Sequence, residues 1–395
     1  MAEGALKPQR GAFAFRKGLA IALAMLVAAC VPGGRAPLPP AKPQPEAPRP
    51  APVQPGLPQD TDRHRVALLV PLTGTNAGVG RSLSNATQLA LLDANASNVR
   101  ITTYDTALGA AAAARRAIQE GNKLILGPLL SEDARAVAPI AKSAGVPVIA
   151  FSNDVSVAGN GVYAMGYSPA QSIERVVDYA KGTGITDFAG LMPRGVYGER
   201  ASTAFLRAVE SAGGRVITLQ TYDRAPGSLT GAVAKLNANP FQAVLIADSG
   251  SAAAGIVPMV RRGGSKARVL GTELWNSDSG LAGRTALNGA WFASVPDNYY
   301  RQYAAKYRAR FGADPYRLST LGYDAVLLTI RIARDWKVGS PFPESRLTDR
   351  DGFAGLDGAF RFGRDGVAER ALEVQEVRAG QVVTVSPAAT GFGGK

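Results

Sequence analysis

KLILGPLLSEDARAVAPIAKSAGVPVIAFSND, residues 123–154, holds two apolar runs with an amphipathic stretch between them. Leu124-Ile125-Leu126 has the character of a buried strand, and Gly127-Pro128 ends it, because proline cannot donate to a ladder. Ser131 stands where a helix N-cap belongs, and Glu132 and Asp133 follow, their carboxylates suited to the positive end of a helix dipole. Ala134, Val137, Ala138 and Ala141 recur at three- and four-residue spacing, one apolar stripe. Gly145 closes the helix, and Pro147–Phe151 begins a second buried strand. A strand, a helix and a second strand make a right-handed parallel crossover. Open parallel sheets bind ligands outside the carboxyl ends of their strands. Those ends carry Ser131 and the trio Ser152, Asn153 and Asp154.

The same alternation extends in both directions. Upstream, Val66–Val70 reads as a strand, Arg81–Asn95 as a helix, Arg100–Tyr104 as a strand and Gly109–Glu120 as a helix. Gly78 and Gly80 invite comparison with a dinucleotide fingerprint, but position 83 is Leu, so the third glycine is missing and nucleotide binding is rejected. Downstream, a strand at Tyr163–Met165 leads over a hinge. Strands then fall at 188–192, 216–222, 243–248 and 268–271, with helices at 168–181, 199–212, 229–237 and 252–262. Two longer helices follow, at 298–311 and 316–336. Short pieces at 358–362, 371–377 and 381–385 read as antiparallel β, and the Gly-rich end after Pro387 as frayed. The expected class is α/β, with mostly parallel sheets and helices on both faces.

The 395 residues are 46% hydrophobic, enough for two lobes and non-globular appendages. A single cysteine, Cys30, excludes an intrachain disulfide and a cysteine metal cluster, and a single histidine, His64, argues against a Ser-His-Asp triad or a His-based zinc site. No GxSxG, P-loop or metal cluster supports an enzyme, and nothing calls for a cofactor. The net charge of +13 is spread without a basic run interleaved with aromatics, so nucleic acid is set aside.

Residues 1–29 read as an export signal: a basic start, then an apolar run of twelve from Gly18 to Ala29, too short for the ~20 residues that span a bilayer. Val31–Asp60 contains eleven prolines in thirty residues and cannot build a core. As extended polyproline II, at ~3.1 Å per residue, it would reach about 90 Å. Such a stiff tether suits a protein that must meet a partner away from its membrane.

Leu26-Val27-Ala28-Ala29-Cys30 resembles the bacterial lipobox, which implies acylation of Cys30 and a lipid anchor, and Val31 after it implies sorting to the outer membrane. Residues 64–386 resemble the type I periplasmic binding proteins of the branched-chain amino-acid receptor branch. The phrases that carry this are VALLVPLTGTNAGVGRSLSNATQLAL, the 123–154 stretch, GVYGERASTAFLRAVESAGG and FGADPYRLSTLGYDAVLL. The resemblance implies two Rossmann-like lobes joined by three hinge strands and closing on a ligand. Expected boundaries are residues 62–160 and 298–336 for lobe 1, and 161–297 and 337–386 for lobe 2. Lipobox, tether and the GTELWN turn look most like penicillin-binding protein activator lipoproteins, which contact a peptidoglycan synthase.

For an amino-acid receptor the resemblance implies Ser131, Ser152 and Asn153 at the ligand carboxylate and amine, Tyr197 as cover and Glu273 at the ammonium group. Each has a second reading: Ser131 as a cap, Ser152 and Asn153 as turn residues, Tyr197 as packing. Trp275 adds bulk beside Glu273, and Phe151 and Asn153 replace the small residue and threonine usual there. The tether and sorting residue favour a lipid-anchored regulator of a peptidoglycan synthase. Glu273 with Ser131 favours the alternative, a receptor for an amino acid or amide feeding a transporter.

Overall fold

The computed structural model describes residues 62–392, apart from 224 and 226. The leader, Cys30 and the tether lie outside the described residues. Lobe 1 opens with β1 (His64–Val70), α1 (Ala77–Asp93), β2 (Val99–Asp105), α2 (Ala110–Gln119), β3 (Leu124–Leu126), α3 (Ser131–Ser143), β4 (Val148–Ala150) and β5 (Val162–Ala164). The five strands are parallel, in the order β2-β1-β3-β4-β5. Lobe 2 has α4 (Pro169–Gly182), β6 (Asp187–Pro193), α5 (Val196–Ser211), β7 (Arg215–Tyr222), α6 (Ser228–Leu236), β8 (Ala243–Ile246), α7 (Gly250–Arg262), β9 (Arg268–Gly271) and β10 (Trp291–Ser294). Its parallel part runs β7-β6-β8-β9-β10, so the two lobes share one winding order.

The chain then returns to lobe 1 as α8 (Tyr300–Phe311) and α9 (Ser319–Ala333), followed by β11 (Phe353–Gly355), β12 (Gly358–Phe362) and β13 (Ala368–Arg370), a small antiparallel sheet. Finally β14 (Glu373–Arg378) and β15 (Gln381–Ser386) extend lobe 2's sheet, β14 lying antiparallel to β10. The chain therefore passes between the lobes at 165–168, 295–299 and 371–372.

Why the sheets are covered on both faces can be read from β1. Val66, Leu68 and Val70 belong to one apolar cluster, with α1, α8 and α9, while Ala67 and Leu69 belong to another, with α2 and α3. Successive side chains point to opposite faces, so a strand buried on both must be apolar throughout. In each lobe the helix that follows the first strand also sits unusually close to that strand. A Cβ on Gly80 would lie 1.7 Å from the Pro71 carbonyl oxygen, and one on Gly198 would lie 1.6 Å from that of Pro193. These glycines serve close packing of helix on strand, at equivalent places in the two lobes.

Several expectations need correction. The strand at 162–164, expected in lobe 2, pairs with β4 in lobe 1. Segment 337–370 also packs on lobe 1: Phe342, Leu347, Phe353, Phe360 and Phe362 share a core with β1 and α9. Apolar pattern marks a segment as buried but does not say against which lobe. Ser131 is the first helical residue, not the cap; the cap is Leu130, whose carbonyl accepts from Ala134 N at 3.0 Å. β10, a four-residue run between two loops, was not foreseen. The tail is not frayed as far as Phe392, whose ring lies 4.7 Å from the Arg361 guanidinium.

Candidate functional site

Loops from the carboxyl ends of both sheets meet across a cavity of about 510 Å³, within the ~300–1,000 Å³ typical of small-molecule sites. Lobe 1 contributes Asn76, Leu129, Phe151 and Asn153 from the ends of β1, β3 and β4, with Arg317 and Leu318 from the start of α9. Lobe 2 contributes Gln171 and Ser172 of α4, and Glu273, Leu274 and Asn276 after β9. The crossing segments add Tyr167, Val295 and Leu372, and the end of β13 adds Arg370.

Glu273 opens a 3₁₀ turn, Glu273–Ser277, directly after β9. The Tyr197 hydroxyl donates to its Oε1 at 3.0 Å and lies 2.9 Å from Thr272 Oγ1. Its Oε2 is closed to solvent and accepts no hydrogen bond; the Ser172 hydroxyl nearby donates instead to the Ala293 carbonyl, at 2.7 Å. Burial pushes the Glu273 carboxyl up to about 7, against the hydrogen bonds that favour its ionised form. Such a group gains from a donor or a cation brought in by a ligand.

The hinge side of the cavity is a buried charged cluster. Arg317 bonds Asp357 at 2.7 Å, Asp297 at 3.3 Å and Thr320 at 3.1 Å. Asn276 of lobe 2, with its amide oxygen turned to the guanidinium, accepts from it at 3.1 and 3.2 Å, so Arg317 ties the lobes together. Asp357 also accepts from Tyr167 and Thr320. Burial would raise its carboxyl, but Arg317 and Arg370 hold it below the usual range. Burial and the neighbouring Asp357 push Asp324 up to about 7, although the backbone N–H groups of Leu356 and Asp357 bond it.

A second tie crosses the cleft mouth. Asp154, at the end of the β4 loop, meets Arg200 of α5 at 2.8 Å and Arg135 of α3 at 2.5 Å. Burial alone would raise this carboxyl; hydrogen bonds from Ser156 and Arg200 outweigh it and hold it at about 2.

Of the residues expected at the site, Glu273 and Asn153 line the cavity. Ser131 does not: it sits at the start of α3, Arg135 Nη1 approaching its hydroxyl at 3.4 Å, while Leu129 and Leu130 face the space. Ser152 is buried, its Oγ accepting from Asp154 N at 3.1 Å, which makes it a turn residue. Tyr197 is not among the residues that line the cavity; its hydroxyl bonds Glu273 Oε1 from behind. Trp275 is fully buried in the lobe 2 core against Phe292, donating from Nε1 to the Asp248 carbonyl at 3.0 Å, so its bulk leaves the cavity free. Sequence reasoning missed Arg317 and Arg370. The signal for Arg370 was present: in β13 it shares the inward face with buried Ala368, and an inward arginine needs a reason.

Two doubly wound lobes with one winding order, three crossings and a polar-anchored cavity between them define a two-lobed, cleft-binding protein. The chain belongs to the periplasmic binding protein family, whose profile matches residues 64–381. Membership implies a periplasmic location. A putative branched-chain amino acid ABC transporter protein from Rhodospirillum rubrum superposes with a TM-score of 0.74 at 22% identity, over 82% of this chain and all of that one. Full-length LpoA from Haemophilus influenzae superposes with a TM-score of 0.64 at 21% identity, over 83% of this chain and 60% of that one. An uncharacterized protein of Rickettsia prowazekii is 26% identical over 176 residues, a match spanning 44% of this chain and 47% of that protein.

Proposed function

We propose that this is a lipid-anchored, binding-protein-like regulator of a peptidoglycan synthase, held at the periplasmic face of the outer membrane through Cys30. The observation that carries the reading is the order of parts: a leader ending in the chain's single cysteine, a proline-rich tether, then a periplasmic binding protein body. A transporter receptor only has to deliver solute, whereas a ~90 Å stiff reach serves a partner in or near another membrane. The fold likeness to LpoA points the same way. The test is co-purification of the tagged full chain with the cell's penicillin-binding proteins, with glycan polymerisation by the recovered synthase assayed as the protein is added. Failure to recover any synthase, with an unchanged polymerisation rate, would remove the proposal.

A second reading has its own support. Glu273 lines a cavity of ligand size and its buried carboxyl is not fully hydrogen-bonded, which favours a receptor for an amino acid or amide, as in a transport system. A thermal-shift screen against amino acids and amides separates it from an idle cleft. Ligand at ~1,000 times its dissociation constant stabilises a fold by ~4 kcal/mol.

A further inference from the structure

A second hollow lies outside the cleft. It measures about 530 Å³ and shares only Asn153 and Ser168 with the interlobe cavity. Its floor is a trough between α4 and α5, whose buried faces share one core beneath it. On α5 the lining residues run from Arg200 to Ser211 at spacings of three and four, one face of the helix. Ala170 and Glu174 of α4 stand opposite, one turn apart. Ala170, Ala204 and Ala208 leave the space open, because side chains that stop at Cβ cannot fill the gap between neighbouring helices. Lobe 1 closes one end with Asp154, Val155 and Ser156, and the Asp154–Arg200 bridge at 2.8 Å pins that end. Both lobes therefore complete the hollow.

An apolar floor inside a charged rim is the anatomy of a protein interface. Val155, at the end of the trough, is 41% exposed. Glu174, Glu199 and Arg207 stand exposed on the rim, and their side chains make no ion pair or hydrogen bond to a described residue. Several other surface carboxylates have partners: Asp93 pairs with Lys306, Asp187 with Arg215 and Asp278 with Arg284. Basic residues exceed acidic ones by 13 across the chain, so two unpaired acids side by side favour a basic visitor. The backbone groups of α4 and α5 are spent within the helices, so no strand can add here, and what remains is side-chain packing. The eleven steps from Arg200 to Ser211 span about 16 Å at 1.5 Å each, three helical turns. We propose that this trough is the docking site of the synthase, and that what docks is an amphipathic helix of about three turns. Its inner face carries small apolar side chains, and its flank carries lysine or arginine opposite Glu174 and Glu199. This surface presupposes the synthase reading and gives that partner its place on the protein.

The test uses the tagged full chain in detergent and membrane extract whose penicillin-binding proteins carry a fluorescent penicillin. Ala204→Arg fills the trough, and Glu174→Lys with Glu199→Lys reverses its rim. Glu210→Lys, at an exposed acid of α5 that does not line the trough, is the control. The parent and the control should recover a labelled synthase, and both trough variants should recover at least tenfold less at an unchanged melting temperature. Titration of that purified synthase against the same proteins should show a loss of affinity of the same size. If Ala204→Arg fails to fold, the rim variant, which changes only exposed side chains, decides alone. Undiminished recovery by the rim variant, or an equal loss in the control, overturns the trough as the docking site and leaves the synthase reading standing. Recovery of no labelled synthase by the parent removes the synthase reading, and the docking site with it.

Discussion

Glu273 is a carboxyl whose protonation couples to whatever fills the cleft. Its value near 7 lies above the ~4.3 of an unfolded glutamate, so between those limits the native state holds the extra proton. The sign follows: stability is greatest below the unfolded value and falls as pH rises through about 7. Glu273→Gln keeps the shape and removes the titration. Its unfolding free energy should exceed the parent's by about 1–3 kcal/mol at pH 8 and match it at pH 4. Urea midpoints at the two pH values measure this, and an equal advantage at both would show that Glu273 does not titrate near neutrality. For a ligand bearing an ammonium group the dependence is opposite. Binding needs ionised Glu273, so affinity should drop up to tenfold per pH unit below about 7. That Glu273 and Asn153 would stand at the cavity was legible because strand ends can be read from apolar runs and breakers. Ser131, Ser152 and Trp275 were misplaced because a run locates a residue along the chain and not the direction of its side chain, which neighbouring turns and the opposite lobe settle.

Between elements, the ties across the cleft decide how the lobes move. Asp154 joins α3 and α5 through Arg135 and Arg200 and is almost fully buried. Its depressed carboxyl contributes stability above the unfolded value near 4, and that contribution is lost as pH falls towards 2. Asp154→Asn should cost about 1–3 kcal/mol, the half-exposed arginines softening the loss, and should raise the radius of gyration in small-angle scattering as the lobes part. A lower melting temperature with an unchanged radius would mean the bridge stabilises without holding the cleft. Within each lobe the helix after the first strand leans on glycine. Gly198→Ala puts a methyl group into the Pro193 carbonyl, so α5 must shift. We expect a loss of 2 kcal/mol or more, of the order seen for overpacked cores, read by thermal denaturation. The exposed position Gly231, where an added Cβ meets nothing within 4 Å, serves as the control. The glycines were visible in the sequence, but their purpose was not, since the carbonyl each one meets belongs to a different element.

At the scale of the whole molecule, anchoring and folding should separate. Cys30→Ser should leave the melting temperature of the folded body unchanged and move the protein from the membrane to the soluble fraction. Retention on membranes after this change would refute the lipid anchor. The same variant gives a second reading on the synthase: if the tether serves reach from a membrane, the soluble form should still bind the isolated enzyme while losing its effect in cells.

The sequence by itself determined most of the alternating strands and helices and the α/β class, because apolar periodicity and chain breakers are local properties of short stretches, and its resemblance to a known family implied the two-lobed body. The tertiary structure alone decided that β5 and residues 337–370 join lobe 1, that Trp275 belongs to a core, and that Arg370 stands in the cleft with unpaired nitrogens. Those outcomes depend on which faces meet across the 205 residues that separate Met165 from Arg370. Such long-range pairings leave no periodic mark in the chain: what fixes them is the burial of two faces together and the hydrogen bonds left over once they have met.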